Sequence, residues 1–307
     1  MTQTLEHLTR RTATMGSIRG IVRTMKTMSA INAAPYERAA EAIGAYRATV
    51  LDGLHAFVTA HGPLPVKRRS DGPAILIAFG TDHGLCGNYN EIVAQAVAQE
   101  VAQAPCRVLC VGVQAEDALT GLGIHPVATL MPPANVDGVE RLAGRLLARL
   151  DRMRDAPGLA DCAVSMVFMQ RAGHGRQRPV AQPLLPLDPD LADGFAHRRW
   201  QSSSLPFSRL DPAVLLSALL RSYLFSGLYR AAAEAMVTEN AARLARMQQA
   251  ERAIDDRLEM LNADLRALRQ SEITTELLDV IIGFEALRKR NARRPARIGA
   301  TGGDAHV

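Results

Sequence analysis

Aromatic residues are scarce in this sequence of 307 residues, and long apolar runs are missing from it. Tryptophan, tyrosine and phenylalanine together make up 4% of the chain. So few aromatic residues argue against the aromatic stacking platforms with which proteins bind single-stranded nucleic acid. No unbroken apolar run reaches the roughly eighteen residues of a membrane span, so any association with a membrane is expected to come through a partner.

Cysteine is also rare, and the four cysteines follow no secretory signal, which predicts reduced thiols. Cys106 and Cys110 lie in one strand-like run without a second close pair, so buried thiols are favoured over a zinc site. The histidines show no metal-ligand spacing, and no serine stands in a nucleophile elbow. The sequence therefore predicts no catalytic residue, no metal and no cofactor.

Acidic residues are scarce in the N-terminal region, where Glu6 is the one acid before Glu37. The chain as a whole has a formal charge of +5, and basic residues concentrate at both ends. Charge alone does not decide between nucleic acid, an anionic membrane and an acidic protein surface as a partner. The Arg- and Thr-rich start has the composition of a mitochondrial transit peptide, but a helical pattern begins within it, which favours a true helix.

Proline is absent between Pro212 and Pro295, and residues 211–290 are predicted to form one long helix. At about 1.5 Å per residue it would extend about 120 Å, too far to be buried in a small domain. Its apolar positions form a narrow seam of Met247, Ala250, Ile254, Leu258, Leu261, Leu265 and Leu268. Such a helix needs a partner along its length.

A second long helix is predicted over residues 5–59. Its apolar seam is formed by Ile18, Ile21, Met25 and Met28 and resumes, after a break, at Ile43, Tyr46, Val50 and Leu54. Pro35 is expected to kink this helix or to end its first segment. At about 1.5 Å per residue this helix spans about 80 Å, which is comparable with most of the C-terminal helix, so the two can pair as a coiled coil.

The middle of the chain alternates between short apolar runs and helical segments, which is typical of an α/β unit with a mostly parallel sheet. Strands are predicted at 74–79, 107–113, 125–130, 162–169 and, at an edge, 180–187, and helices at 91–103, 114–122 and 136–154. The predicted fold class is α/β plus coiled coil: long N- and C-terminal helices paired as an antiparallel coiled coil, with a Rossmann-like α/β domain inserted between them. The predicted segments are an N-terminal helix (1–60), a linker (61–73), the α/β domain (74–206), a C-terminal helix (207–290) and a disordered basic tail (291–307).

A glycine-rich turn, GTDHGLCGNYN, follows the first strand at residues 80–90. A strand that enters a glycine turn and then a helix is a common place for a phosphate. The glycine spacing differs from that of dinucleotide-binding turns, and the Lys-Ser/Thr pair of a P-loop is missing. A structural turn is the favoured interpretation, and a nucleotide site is the alternative.

Three motifs, in the right order along the chain, resemble those of the gamma subunits of F-type ATP synthases. The turn at 80–90 resembles the family's S-D-R-G-L-C-G-x-x-N, and ALRQSEITTELLDVIIGFEAL at 267–287 resembles its C-terminal signature. IVRTMKTMSA at 21–30 is similar to the family's I-T-K-A-M-K-M-V-A-A. The likeness covers nearly the whole chain.

The resemblance implies a non-catalytic rotary shaft that couples transmembrane ion flow to ATP synthesis or hydrolysis at beta-subunit sites. It implies one copy per complex, with alpha, beta and epsilon subunits and a membrane ion-driven c-ring as partners, and no nucleic acid. It also implies a peripheral position on the cytoplasmic face of the bacterial plasma membrane, with no transmembrane segment in this chain.

The resemblance implies roles for two groups of residues. The shaft contacts with beta subunits would be Met25, Lys26, Arg243, Gln270 and Thr274. The signature turn of the docking domain would be formed by Asp82, Gly84, Leu85, Cys86, Gly87 and Asn90.

The sequence departs from the family pattern at several positions. A basic run of the family is replaced by residues 31–35, which include Pro35, and His83 stands in place of an arginine. Ile282 and Phe284 replace small residues of the C-terminal signature. Two other classes stay open on the residues alone: a small-molecule or nucleotide-binding α/β enzyme with helical dimerisation arms, and, on charge only, a nucleic-acid scaffold.

Overall fold

The structure is a computed structural model that describes residues 5–64, 74–155, 159, 162–173 and 176–292. The chain divides into two compact units. The larger unit holds residues 23–249, and the smaller one holds residues 1–22 and 250–307. Residues 65–73 of the predicted linker (61–73) and residues 293–307 of the predicted basic tail (291–307) lie outside the described residues.

The larger unit contains a mixed five-stranded sheet. Its strands are β1 (Ala74–Phe79), β2 (Cys106–Val111), β3 (Ala128–Leu130), β4 (Val164–Ala172) and β5 (Arg176–Leu185). They lie in the order β3-β2-β1-β4-β5, in which the first four are parallel and β5 pairs antiparallel with β4. Ile77 in the central strand is in register with Leu109 on one side and Met166 on the other.

Helices connect the parallel strands and cover both faces of the sheet. They are α2 (Tyr89–Gln103), α3 (Val113–Gly121), α4 (Gly138–Arg154) and the short α5 (Pro189–His197). Alternate residues of β1 point to opposite faces: Ile77 packs with residues of α4, while Leu76 packs with residues of α2 and α3. The predicted strands and helices of this region are confirmed, with ends that differ by a few residues.

Two features of the larger unit differ from the prediction. β2 ends at Val111 because Gly112 adopts a φ of 101°, and a side chain there would collide with the Thr81 carbonyl. No helix is predicted over residues 189–197, where the structure has α5. This helix begins at an Asp188–Pro189 pair whose aspartate accepts the Asp190 backbone N–H at 3.0 Å.

The N-terminal helix α1 (Leu5–His61) is continuous over 57 residues, with Pro35 inside it. The expectation that Pro35 ends a first helical segment is therefore wrong. Proline removes one helical hydrogen bond, and tertiary contacts can offset that loss. The next residue, Tyr36, is 3% exposed, and its hydroxyl donates to the Pro133 carbonyl at 3.3 Å, which fixes the helix at this point.

The predicted seam of α1 is displaced by one residue. Ile18, Ile21 and Met28 are exposed, whereas Val22 and Ser29 are buried. The buried or half-buried positions recur every seven residues, at Leu8, Met15, Val22, Ser29, Tyr36, Ile43, Val50 and Phe57. Because Ser29 is polar and the exposed positions are apolar, hydrophobicity alone indicated the wrong face in the first part of the seam. The second part is confirmed at Val50 and Leu54, which are buried, while Tyr46 is exposed.

The C-terminal helix α6 (Pro212–Ala292) is continuous over 81 residues, as predicted. The Asp211 carboxylate caps it by accepting the backbone N–H groups of Ala213 and Val214 at 2.8 and 3.4 Å. Of its predicted seam, Met247, Leu261 and Leu265 are buried.

One window of eighteen residues in α6 has a mean hydropathy of 1.2 and passes the length and composition test for a membrane span. This window is not predicted from the sequence, because no unbroken apolar run in the chain reaches that length. Core helices of soluble proteins pass the same test, and 28% of this window is buried within the chain itself.

In the smaller unit the two long helices contact each other. Leu8 of α1 packs with Leu261 and Leu265 of α6. The Arg19 guanidinium forms an ion pair with the Asp255 carboxylate at 2.7 Å. As positions advance along α1, their partners recede along α6, so the two helices run in opposite directions here.

Candidate functional site

The candidate site is the glycine-rich turn at residues 80–90, which leaves the carboxyl end of β1 and leads into α2. Gly80 opens the turn where there is no room for a side chain: a Cβ would lie 2.3 Å from the Ala115 Cβ and 2.8 Å from the Asn90 Oδ1. Leu85 adopts a φ of 68°, a left-handed conformation that non-glycine residues rarely take. The turn is therefore tightly constrained by its neighbours.

Thr81 and Asn90 close the turn across its base. The Thr81 backbone N–H donates to the Asn90 Oδ1 at 3.0 Å, and the Asn90 amide donates to the Thr81 hydroxyl at 2.8 Å. The Thr81 hydroxyl in turn donates to the His83 carbonyl at 2.9 Å. Both side chains are buried, and their polar groups are used within the turn.

The start of α2 packs directly on α6. The buried Tyr89 hydroxyl donates to the Ala235 carbonyl at 3.1 Å and lies 3.0 Å from the Thr238 hydroxyl. Burial raises the pKa of Tyr89 well above its usual range, so the phenol is neutral. In a phosphate-binding turn the start of this helix would face a ligand, whereas here it faces α6.

A buried ion pair on α6 lies beside the same turn. The Arg243 Nη2 lies 2.5 Å from the Glu239 Oε1, and the two side chains are 13% and 6% exposed. Burial raises the pKa of Glu239, and the Arg243 charge opposes this rise. The other carboxylate oxygen of Glu239 has no hydrogen-bond partner among the described residues.

Cys86 lies against this pair. It is 5% exposed, and burial raises the pKa of its thiol to about 11, with the neighbouring Arg243 acting in the opposite direction. A thiol with such a pKa is protonated at neutral pH and poorly nucleophilic. The geometry gives Cys86 a packing role.

An open cleft of about 350 Å³ adjoins the ion pair, between the turn, α1 and α6. Asp82 and His83 line it from the turn, Tyr36 from α1, and Glu239 and Arg243 from α6. Within the described ranges, no group of three or more metal-ligating side chains is placed to hold an ion.

Gly87 allows the turn to approach α6. It has a φ of 70°, and a Cβ at this position would lie 2.5 Å from the Arg246 Nε. We expect Gly87→Ala to lower the free energy of unfolding by about 1–2 kcal/mol, from backbone strain together with displacement of Arg246. Thermal or urea unfolding would measure this loss.

Gly84→Ala is the matched control, because a Cβ at Gly84 meets nothing within 4 Å. Its effect should stay within about 0.5 kcal/mol. Equal losses in the two variants would contradict the packing of Gly87 on Arg246.

The predicted site residues are not gathered in one place. The turn residues from Asp82 to Asn90 lie together, and Arg243, predicted as a shaft contact, lies beside them. Gln270 and Thr274 belong to the smaller unit, where both are exposed and the Thr274 hydroxyl donates to the Gln270 carbonyl at 2.8 Å. Met25 and Lys26 are half-buried on α1.

Sequence reasoning did not single out Glu239 as a site residue, although it forms the centre of the buried pair. Its position four residues before Arg243 on a helix is the spacing of an ion pair and could have indicated it. That the pair is buried could not be predicted, because burial depends on the turn that packs over it.

Comparisons with known proteins agree with one another. A family model described as ATP synthase matches residues 4–287. The chain is 31% identical to the ATP synthase gamma chain of Synechococcus elongatus, over 88% of this chain and 96% of the relative. It is 28% identical to the gamma chain of Nitratidesulfovibrio vulgaris strain Miyazaki F, over 74% of this chain and 78% of the relative.

Solved structures share the fold. A chain of the Euglena gracilis mitochondrial ATP synthase, in an assembly described as OSCP/F1/c-ring, superposes with a TM-score of 0.65 and 18% identity, covering 98% of this chain and 100% of the other. A chain from the central stalk and c-ring of Tetrahymena thermophila mitochondrial ATP synthase gives a TM-score of 0.53 and 16% identity, covering 75% and 99% of the two chains.

Proposed function

The chain belongs to the family of ATP synthase gamma chains, and from this premise we propose that it is a central rotary shaft. As such it is a non-catalytic subunit that couples ion flow across a membrane to ATP synthesis or hydrolysis in an F-type ATP synthase. The chemistry takes place on beta subunits, and this chain transmits rotation to them.

The observation that carries the proposal is the exposed end of α6. Every residue from 271 to 289 is exposed, yet eight of them are large apolar side chains that are 52–68% exposed: Ile273, Leu277, Leu278, Val280, Ile281, Ile282, Phe284 and Leu287. A contiguous apolar surface of this kind is typical of a protein interface. The side chains occupy a wide arc of the helix, which fits a surrounding ring of subunits better than one partner helix.

The two long helices are proposed to form an antiparallel coiled coil. The contacts of Leu8 with Leu261 and of Arg19 with Asp255 support this pairing in the smaller unit. In the larger unit, the Arg47 guanidinium donates to the Tyr223 hydroxyl at 3.0 Å in the same antiparallel sense. The seven-residue recurrence of buried positions on α1 is the period of a left-handed coiled coil.

The sheet is proposed to be a Rossmann-like docking domain for the epsilon subunit and the c-ring. Four parallel strands with helices on both faces support the Rossmann-like assignment. In that fold a nucleotide binds at the carboxyl ends of the strands. Here the turn at those ends packs on α6 through Tyr89 and Cys86, which favours docking over nucleotide binding.

The finer assignments follow the family resemblance. We propose that Met25, Lys26, Arg243, Gln270 and Thr274 contact beta subunits, and that alpha and beta subunits surround the helix pair. The segments would be a shaft helix at 1–60, a linker at 61–73, the docking domain at 74–206, a second shaft helix at 207–290 and a basic tail at 291–307. The complex would hold one copy, peripheral on the cytoplasmic face of the bacterial plasma membrane.

Reconstitution tests the proposed function. The purified chain should show no ATPase activity, and mixed with matching alpha and beta subunits it should restore rotation-coupled hydrolysis in a complex that contains one copy of it. Hydrolysis that is equally coupled without the chain would exclude a shaft. Saturable nucleotide binding at residues 84–88, measured by calorimetry, would instead favour the enzyme alternative.

A further inference from the structure

Arg171, near the carboxyl end of β4, forms an unusually complete contact with α6. Its backbone N–H and its Nε both donate to the Glu234 Oε1 at 3.0 Å, and its Nη2 donates to the Glu234 Oε2 at 3.3 Å. The Glu234 side chain is 11% exposed. Both carboxylate oxygens are thus held by one arginine in a fork geometry that fixes direction as well as distance.

The same guanidinium also reaches α1. The Arg171 Nη1 donates to the Glu37 carboxylate, so one side chain of the sheet is paired with both long helices. The two carboxylates raise the pKa of Arg171, with the hydrogen bond from Glu234 as the largest cause.

One helical turn further along α6, Thr238 extends the contact to the sheet. Its carbonyl accepts the Gln177 side-chain amide of β5 at 2.9 Å. Its hydroxyl oxygen lies 3.3 Å from the Met169 carbonyl of β4, but it is closer to the Ala235 and Glu234 carbonyls of its own helix, at 2.9 and 3.0 Å. The polar contacts between the sheet and α6 are therefore concentrated around Arg171.

The apolar contact around this region combines alanines with larger side chains, since Leu228, Met236 and Val237 of α6 are buried in the same core. Ala231, Ala232 and Ala235 of α6 are all buried in the core next to the sheet. Alanines allow close approach, but they interlock much less than branched side chains do. The alanine part of the contact therefore gives little resistance to sliding along the sheet. The directional contacts of Arg171 add resistance to a force in that direction.

We propose that Arg171 is a positioning residue for torque transmission, which fastens both long helices to the sheet. This inference rests on the proposed function, in which rotation passes between the sheet domain and the helix pair. Because Arg171 is paired with both Glu234 of α6 and Glu37 of α1, a force on the sheet domain acts on both helices at once.

Angular fluctuations of the sheet domain provide the test. In the reconstituted complex, with the helix pair held by the alpha and beta subunits, a bead on the sheet domain reports how stiffly the domain is attached. We expect Arg171→Ala to widen the variance of the bead angle by roughly 1.5-fold or more, because the charge-assisted contacts are lost.

Arg171→Lys keeps the charge without the fork and should give an intermediate value. Arg178→Ala, an exposed arginine on the neighbouring strand, is the matched control and should leave the variance unchanged.

Glu37→Gln loosens only the contact to α1, so it keeps the test available even where Arg171→Ala assembles poorly. It should widen the variance less than Arg171→Ala while the rate of ATP hydrolysis stays at the wild-type level. A purely structural role of Arg171 would reduce the yield of complexes but leave the variance of the bead angle in the assembled ones unchanged. An unchanged variance in both Arg171→Lys and Glu37→Gln would overturn the proposal. Failure of the wild-type chain to restore coupled hydrolysis would count against the proposed function instead.

Discussion

Arg243→Met is expected to lower the free energy of unfolding by about 3–5 kcal/mol at neutral pH, because it leaves a buried carboxylate without its counter-ion. Glu239 is 4% exposed, and one of its oxygens already lacks a hydrogen-bond partner among the described residues. Without Arg243 the other oxygen loses its 2.5 Å contact as well. Urea unfolding of the isolated chain would measure the loss.

The loss should depend on pH in a defined direction. Burial raises the pKa of Glu239, and removal of Arg243 takes away the main influence that opposes this rise. A carboxyl group whose pKa is higher in the folded than in the unfolded state favours folding when it is protonated. The deficit of Arg243→Met should therefore be largest above the folded-state pKa of Glu239 and should shrink as the pH is lowered through that pKa.

The double variant Glu239→Leu with Arg243→Met is the control. Replacing both partners of a buried ion pair by apolar residues of similar size is often neutral or stabilising. The double variant should regain most of the stability and lose the pH dependence. A deficit that is the same in both variants, or that grows as the pH falls, would contradict the role assigned to the pair.

The same two variants separate stability from contact with beta subunits. Arg243 is a proposed shaft contact, yet it is turned toward Cys86 and Glu239 in the larger unit. Should the arginine also contact beta, the double variant will be stable and still couple poorly after reconstitution. Full coupling by the double variant would confine Arg243 to an internal role.

Local patterns predicted most of the secondary structure of this chain, with the short helix α5 as an exception. The alternation of apolar runs and helical segments predicted the sheet, and the absence of proline predicted the full length of α6. These features depend on neighbouring residues in the sequence, which is why they could be read directly. The C-terminal seam was also predictable at Leu261 and Leu265, where apolar side chains do face α1.

Features that depend on distant contacts were predicted less well. On α1, the pattern of Ile18 and Ile21 predicted a seam at positions that are in fact exposed. Pro35 lies within a continuous helix, and the next residue, Tyr36, makes a hydrogen bond to Pro133 across the fold. The burial of Glu239 depends on a turn about 150 residues earlier in the chain. Of the site, the residue types could be predicted, but their grouping required the three-dimensional structure.

The exposed end of α6 gives the second large effect, and it should appear only in the assembled complex. Replacing Ile281 and Phe284 together by serine removes two apolar side chains that are 56% and 68% exposed. The free energy of unfolding of the isolated chain should change by no more than about 0.5 kcal/mol, since neither side chain is packed. Affinity for the alpha and beta subunits should fall by roughly tenfold or more, as expected when apolar anchors of an interface are lost.

Leu261→Ala provides the opposite pattern on the same helix. Leu261 is 2% exposed and packs against Leu8, so its truncation should cost about 2–5 kcal/mol of folding stability. Titration of the ring subunits, together with unfolding of each isolated variant, compares the two effects. If the serine variant binds normally, the apolar end of α6 is not an interface, and the shaft proposal loses its main support. If it binds weakly while folding normally, the exposed apolar arc acts as the surface on which the surrounding ring bears.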